Sequence, residues 1–306
     1  MKRIAARSVD LIRIDLIRII TTVVITALLV APPVPAAAQT RSFGWKVTSP
    51  RNVLYLVGSV HLLTKEFYPL NPLLEKAYQD SDLLVEEVDI AELSGAGAQL
   101  SMITRGMQPS SKPLDTVVSA STMALLSKKA QDVGLPIEAL KQFKPWMIAL
   151  TIEAMEWQKA GFDQELGLDR HFYNQAQTDG KAVQALETVE YQISRFDEMP
   201  MELQDHLLAE TLRSIDTEQA SRNKLLEAWR TGDSAAVEAI VLKDLQKEPE
   251  LYQRLLVDRN KNWLPKLDAL FARRGRAMVV VGAAHLVGPD GLLAMLRAKG
   301  YKVEQL

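Results

Sequence analysis

The chain has 306 residues, 36 Lys and Arg against 38 Asp and Glu for a formal net charge of −2, and no cysteine. A chain without thiols has no disulfide framework, no Cys nucleophile and no thiolate metal site, so its core and its chemistry rest on other side chains. The acidic balance argues against nucleic acid as a partner.

The first residues carry Lys2, Arg3, Arg7, Arg13 and Arg18, then an uncharged stretch from Ile19 with an apolar core reaching Ala31, then Ala36-Ala37-Ala38. This order of basic, apolar and small residues is that of a secretory signal over residues 1–38, with cleavage expected after Ala38. The apolar core is too short, at roughly a dozen residues, to span a bilayer comfortably, and Pro32-Pro33 closes it, so no stable membrane span is expected after processing. Loss of five basic and two acidic residues with the segment takes the net charge from −2 to near −5. The expected location is periplasmic or secreted, with residues 39–306 forming one domain.

Phe43 to Val47 and Val53 to Val57 flank Ser49-Pro50-Arg51-Asn52, a turn-rich tetrapeptide, which predicts a hairpin leading into Gly58-Ser59-Val60-His61. A helix follows from Pro72 to Gln79, where proline fits the first turn, and then the apolar run Leu83-Leu84-Val85. The middle of the chain reads as largely helical: Ser119 to Val133, Lys144 to Lys159, Glu165 to Thr178, Met201 to Arg213 and Ser234 to Leu245 carry helical spacing of apolar residues. Lys181 to Leu186 is one more strand. The C-terminal end repeats the N-terminal order: strand Ala277 to Val281, the motif Gly282-Ala283-Ala284-His285, a helix to Ala298, Gly300 as its cap, and strand Tyr301 to Val303. The expected fold is α/β, a mainly parallel mixed sheet with βαβ-like N- and C-terminal units and a large helical middle.

Both Gly-x-x-His motifs therefore stand just past the carboxyl end of a buried strand, where ligands bind in open α/β sheets. His61 and His285 are half of the four histidines in the chain. Two imidazoles with a carboxylate form a donor set for Zn²⁺, Mn²⁺ or Fe²⁺ with positions left for water. Glu86 and Glu87 end a strand expected to lie beside the one ending at His61, since a short crossover joins them. Strand alternation puts Val85, Glu87 and Asp89 on one face and Leu84, Glu86 and Val88 on the other, so one Glu points into the crevice and the other is a solvated or helix-covered charge. Glu187 is a third strand-end carboxylate. Arg259-Asn260, on the helix before the second motif, are candidates for stabilising negative charge on a substrate oxygen. Asp169 and His171, two apart on a helix, do not face one another and are not read as co-ligands. No H-E-x-x-H, G-x-S-x-G or P-loop pattern occurs, and Gly95-Ala96-Gly97 reads as a loop.

Leu54 to His61, Leu83 to Asp89, Leu186 to Gln192, Asp258 to Trp263 and Val280 to Gly288 together resemble the TraB/GumN/PrgY family in motif order, most closely its exported GumN-like branch. The resemblance implies an α/β fold shared with Tiki metalloproteases and, more distantly, with erythromycin esterases and haem-binding ChaN-like proteins. The family's paired Gly-x-x-His motifs map onto His61 and His285, and its Glu-x-Asp strand end onto Glu87 and Asp89. Ser59 stands where the family pattern often has Thr or Ala.

The expected function is an exported metal-dependent hydrolase of peptidase type, with a divalent ion (Zn, Mn, Co or Fe) held by His61, His285 and Glu87. Glu87 serves as ligand or general base, and Arg259 or Asn260 steadies the oxyanion, with Glu187 alongside. The expected partner is a peptide or small-molecule substrate. Two alternatives stand beside it: a metal-free hydrolase of esterase type with a His base poised by Glu87, and a non-catalytic protein that binds peptide or haem or assists polysaccharide assembly.

Overall fold

The computed structural model describes residues 41–306 apart from 216 and 217; the expected signal segment and its cleavage point lie outside the described residues. Six strands form one mixed sheet: β1 (Gly44–Thr48), β2 (Val53–Ser59), β3 (Leu83–Glu86), β4 (Ala182–Ala185), β5 (Ala277–Gly282) and β6 (Lys302–Gln305), in the spatial order β4-β3-β5-β2-β1-β6. The four strands β4, β3, β5 and β2 run parallel to one another, and β1 is antiparallel to both β2 and β6. The mainly parallel mixed sheet and the two motif-bearing ends are as the pattern predicted.

One expectation about the sheet fails. Strand β3 is not the neighbour of β2, because β5 lies between them. The reason is burial: all six residues of β5 are buried, so its Met278, Val279, Val280 and Val281 need a strand on each edge and cover on each face, which only the sheet centre provides. The consequence for function is direct. The two strands carrying the histidine motifs pair with each other, Gly58 opposite Val281 and Ser59 opposite Gly282.

The longer helices are α1 (Pro72–Gln79), α2 (Ala96–Gly106), α3 (Ala120–Asp132), α4 (Pro145–Lys159), α5 (Leu168–Asp179), α6 (Val189–Asp197), α7 (Met201–Ser214), α8 (Glu218–Thr231), α9 (Ser234–Leu245), α10 (Asp258–Ala272) and α11 (Leu292–Ala298). α1 starts where expected, with Pro72 in its first turn and the Asn71 side chain accepting from the Leu73 N–H at 2.9 Å. α5 starts later than its apolar spacing implies, since a 3₁₀ turn, Gln164–Leu166, and Gly167 precede it. The main core joins the sheet to α1, α5, α10 and α11 through residues such as Leu74, Phe172, Trp263 and Leu292. A second core within the helical middle holds Leu126 of α3, Ile148 and Ile152 of α4, and Leu208 and Leu212 of α7. No helix among the described residues is long and apolar enough to cross a membrane.

Candidate active site

The parallel pairing of β2 with β5 sets Ser59 against Gly282 and brings both histidine motifs to one rim of the sheet. Gly282 has ordinary extended angles there, φ −51° and ψ 137°, so space and not backbone strain explains the glycine. A Cβ at this position would stand 3.2 Å from Glu87 Oε1, 3.3 Å from His61 Nε2 and 3.6 Å from His285 Cδ2. The missing methyl thus leaves a small cradle bounded by two imidazoles and a carboxylate. The Gly282 N–H donates to Glu87 Oε1 at 2.6 Å, fixing that carboxylate to the strand end.

His285 is buried and fully engaged. The Asn260 amide nitrogen donates to the carbonyls of Asp290 (2.8 Å) and His285 (3.3 Å), which turns its oxygen toward His285 Nδ1 at 2.7 Å. This network assigns the proton to Nδ1 and leaves Nε2 as the acceptor, 3.0 Å from Arg259 Nη1 and 4.0 Å from Glu87 Oε1. Burial, assisted by the Arg259 and His61 charges and opposed by Glu87, pushes the imidazole down to about 3, so His285 is neutral at physiological pH. Its ring lies against Trp263, with centroids 4.4 Å apart.

His61 sits differently. Its side chain is 53% exposed, and Nδ1 is 3.0 Å from Asp169 Oδ2, while Ser59 donates to the other Asp169 oxygen at 3.1 Å. Enclosure by the cleft walls works to lower its pKa, but Asp169 and then Glu87 outweigh that and hold it up to about 9. Asp169 is the residue that sequence reasoning set aside. It does not face His171, which pairs with Glu75 at 2.9 Å; it reaches the histidine of the first motif instead. Close approach makes that possible: a Cβ on Gly167, before α5, would fall 2.2 Å from the His61 carbonyl oxygen.

Arg259 ties the site together from α10. Its Nη2 donates to Glu87 Oε2 at 2.5 Å and to Glu187 Oε1 at 2.7 Å, and its Nε donates to Glu187 at 3.0 Å. The guanidinium stacks 4.8 Å from the Trp263 ring centre, and the Trp263 indole donates to Glu187 Oε2 at 2.9 Å. A π-helical turn, Gln253–Val257, runs into the start of α10, a kind of irregularity that often marks functional positions. Glu87 is buried, which alone would raise its pKa, yet Arg259, the histidines and the Gly282 N–H hold it well below the usual carboxylate range. For Glu187, burial and the nearby Glu87 charge win over Arg259 and push it up.

Glu86 departs from expectation. Alternation puts it on the face opposite Glu87, but the pleat stops at this point. Both the Glu86 and Glu87 carbonyls accept from successive N–H groups of one neighbouring segment, Leu186 and Glu187, each at 2.8 Å, whereas consecutive carbonyls of a regular strand point to opposite edges. Glu86 and Glu87 therefore line the same cleft, of about 270 Å³, together with His61 and Asp169. Glu86 is 2% exposed, neither of its carboxylate oxygens has a partner among the described residues, and burial with the Asp169 and Asp89 charges pushes it up to about 9.

Of the residues read from the sequence, His61, His285, Glu87, Glu187 and Arg259 come together at the rim. Asn260 lies behind His285, and its amide group is committed to that ring and to two backbone carbonyls, so it orients the histidine and is not placed to steady a substrate oxygen. The donor types around the cradle at Gly282 are those a divalent ion takes, but among the described residues no group of three His, Asp or Glu side chains is arranged to hold one as it stands, since Arg259 occupies His285 Nε2 and Glu87 Oε2. Asp169 and Asn260 each hold an Nδ1, the outer support that ligating histidines usually have.

This is an α/β protein with a paired-histidine, carboxylate and arginine site at the carboxyl ends of parallel strands. The chain belongs to the TraB/PrgY/gumN family, whose model matches residues 43–305. It is 28% identical over 269 residues to the protein YbaP of Escherichia coli (strain K12), described as uncharacterized, covering 86% of this chain and 96% of the relative. The YbaP protein of Shigella flexneri is similar to the same extent. No solved structure matches the chain.

Proposed function

We infer that the chain is an exported metal-dependent hydrolase acting on peptides, with a Tiki-like relation between fold and chemistry. The observation that carries this reading is the convergence of His61 Nε2, the His285 ring and Glu87 Oε1 on the cradle at Gly282. His61, His285 and Glu87 would hold the divalent ion, which supplies Lewis acidity and brings a bound water to a pKa of roughly 7. Asp169 keeps the His61 ring turned so that Nε2 faces the cradle; Asn260 fixes the His285 ring, whose Cδ2 edge faces the cradle and whose Nε2 would have to exchange Arg259 for the ion. Glu87, held ionised by Arg259 and the Gly282 N–H, is suited to ligation more than to taking up a proton. Arg259, fixed by Glu187, spends its N–H groups on Glu187, Glu87 and His285, so it would steady negative charge on a carbonyl oxygen through its charge and not through a free donor.

A second reading, a His/carboxylate hydrolase without metal, is favoured by one observation. Arg259 already donates to both His285 Nε2 and Glu87 Oε2, which satisfies two of the three donors. Hydrolysis of a mixed peptide library separates the two. Under the metal reading, turnover is lost on treatment with dipicolinate and returns with added Zn²⁺, Mn²⁺ or Co²⁺; turnover indifferent to chelation would replace it with the second.

A further inference from the structure

Beside the cradle, the cleft offers a feature the hydrolytic machinery does not use. Glu86 lines it with 2% exposure and with both oxygens unpartnered among the described residues. A buried carboxyl group without partners is costly whether it stays protonated or ionises, and a ligand that brings donors and positive charge removes that cost. A cation inside the protein, Arg170, lines the same cleft but is directed elsewhere, with Nη2 3.0 Å from the Ser94 hydroxyl and Nε 3.6 Å from Glu165. Asp169 cannot serve in place of Glu86, because its two oxygens are taken by Ser59 and His61.

The surroundings restrict what the donor is. Leu62, Val88, Ile90 and Leu93 form an apolar wall on the same cleft, and Leu93 is 37% exposed at its edge. At about 270 Å³ the cleft is near the lower end of ligand sites, which start at roughly 300 Å³. It suits one residue of a chain, not a polymer laid along a groove. Pairing points the same way: of the carboxyl groups that face it, Glu87 is bonded to Arg259 and Asp169 to His61, which leaves Glu86 for a cationic donor.

We propose that Glu86 is the receptor for a primary ammonium group of a peptide substrate, with the adjoining apolar wall taking the aliphatic part of the same residue. An ammonium has three donors and a positive charge, so it satisfies both Glu86 oxygens at once and replaces the desolvation cost with charge-assisted hydrogen bonds. The α-amine of a chain terminus and the ε-amine of lysine share this chemistry. The proposal rests on the hydrolase reading for the word substrate, but its test reads binding alone.

Binding of leucinamide, N-acetyl-lysinamide and N-acetyl-leucinamide to the purified protein is measured by calorimetry or by ligand-observed NMR. At least one of the two amines should bind, the doubly neutral N-acetyl-leucinamide should not, and Glu86→Gln should weaken the amine by roughly tenfold or more. Preference for leucinamide assigns the site to a free N-terminus; preference for N-acetyl-lysinamide assigns it to a lysine side chain. Equal binding of N-acetyl-leucinamide, no binding of either amine, or an unchanged affinity in Glu86→Gln would overturn the proposal. Circular dichroism of Glu86→Gln shows whether the variant is folded, and Glu86→Asp, which keeps the charge, should recover part of the affinity. Failure of the hydrolase reading would show separately, as absence of metal and of peptide cleavage.

Discussion

The two Gly-x-x-His motifs share a pattern and a sheet rim but not an environment. His285 is 4% exposed, held on both ring nitrogens and pushed down to about 3, whereas His61 is half-exposed, held on Nδ1 alone and pushed up to about 9. One motif supplies a dry, neutral, fixed imidazole; the other, in the metal-free protein, a cationic one at the mouth, which would give up its proton on binding an ion. The difference comes from what backs each ring. An amide oxygen of Asn260 backs His285, and the Asp169 carboxylate backs His61. Repetition of a motif therefore locates a site without making its two halves equivalent.

The dry half should be the fragile one. Arg259→Met removes the cation that, among the described residues, is bonded to both Glu87 and Glu187 while keeping much of the side-chain volume, and breaking a buried pair in this way costs about 3–5 kcal/mol. Urea denaturation should show that loss; a shift below about 1 kcal/mol would mean the cluster is more hydrated than its burial indicates. Asn260→Ala comes next. It leaves the His285 Nδ1 proton and the Asp290 carbonyl without their partner, a loss of about 1–3 kcal/mol, again readable by denaturation.

The smallest effect belongs to the open half and carries a pH signature. In metal-free protein, Asp169→Asn should lower the His61 pKa from about 9 toward its usual value near 6.5, measured by NMR titration of the ring protons. A histidine with a raised folded pKa adds stability below its unfolded pKa and loses it as pH rises through the folded value. Wild type should thus exceed Asp169→Asn in stability at pH 6, and the gap should close between pH 6.5 and 9. Half-exposure of the ring limits the gap to roughly 1 kcal/mol or less. A gap that widens with pH would mean Asp169 acts on something other than His61.

Much of this site can be read from residue order, because strand ends are local features. The apolar runs ending in Gly58 and Gly282 mark where each histidine leaves the sheet, Glu187 follows the carboxyl end of β4, and Arg259 stands in the first turn of α10. What escaped the sequence is long-range or irregular. Asp169 meets His61 across 108 residues, and nothing in the spacing within α5 signals it. The insertion of β5 between β2 and β3 depends on which strand most needs two neighbours, a property of the whole sheet. Glu86 was assigned to the wrong side because alternation presumes a regular pleat, and the pleat ends at that residue.

The central claim is that two unlike histidines serve one ion. Mass-spectrometric metal analysis of protein purified without added ions, compared with His61→Ala, His285→Ala and the double variant, tests it most directly. The account predicts a stoichiometric divalent metal in wild type, its loss in each single variant, and no further loss in the double, since two ligands of one site are not additive. Full metal occupancy in either single variant would contradict it.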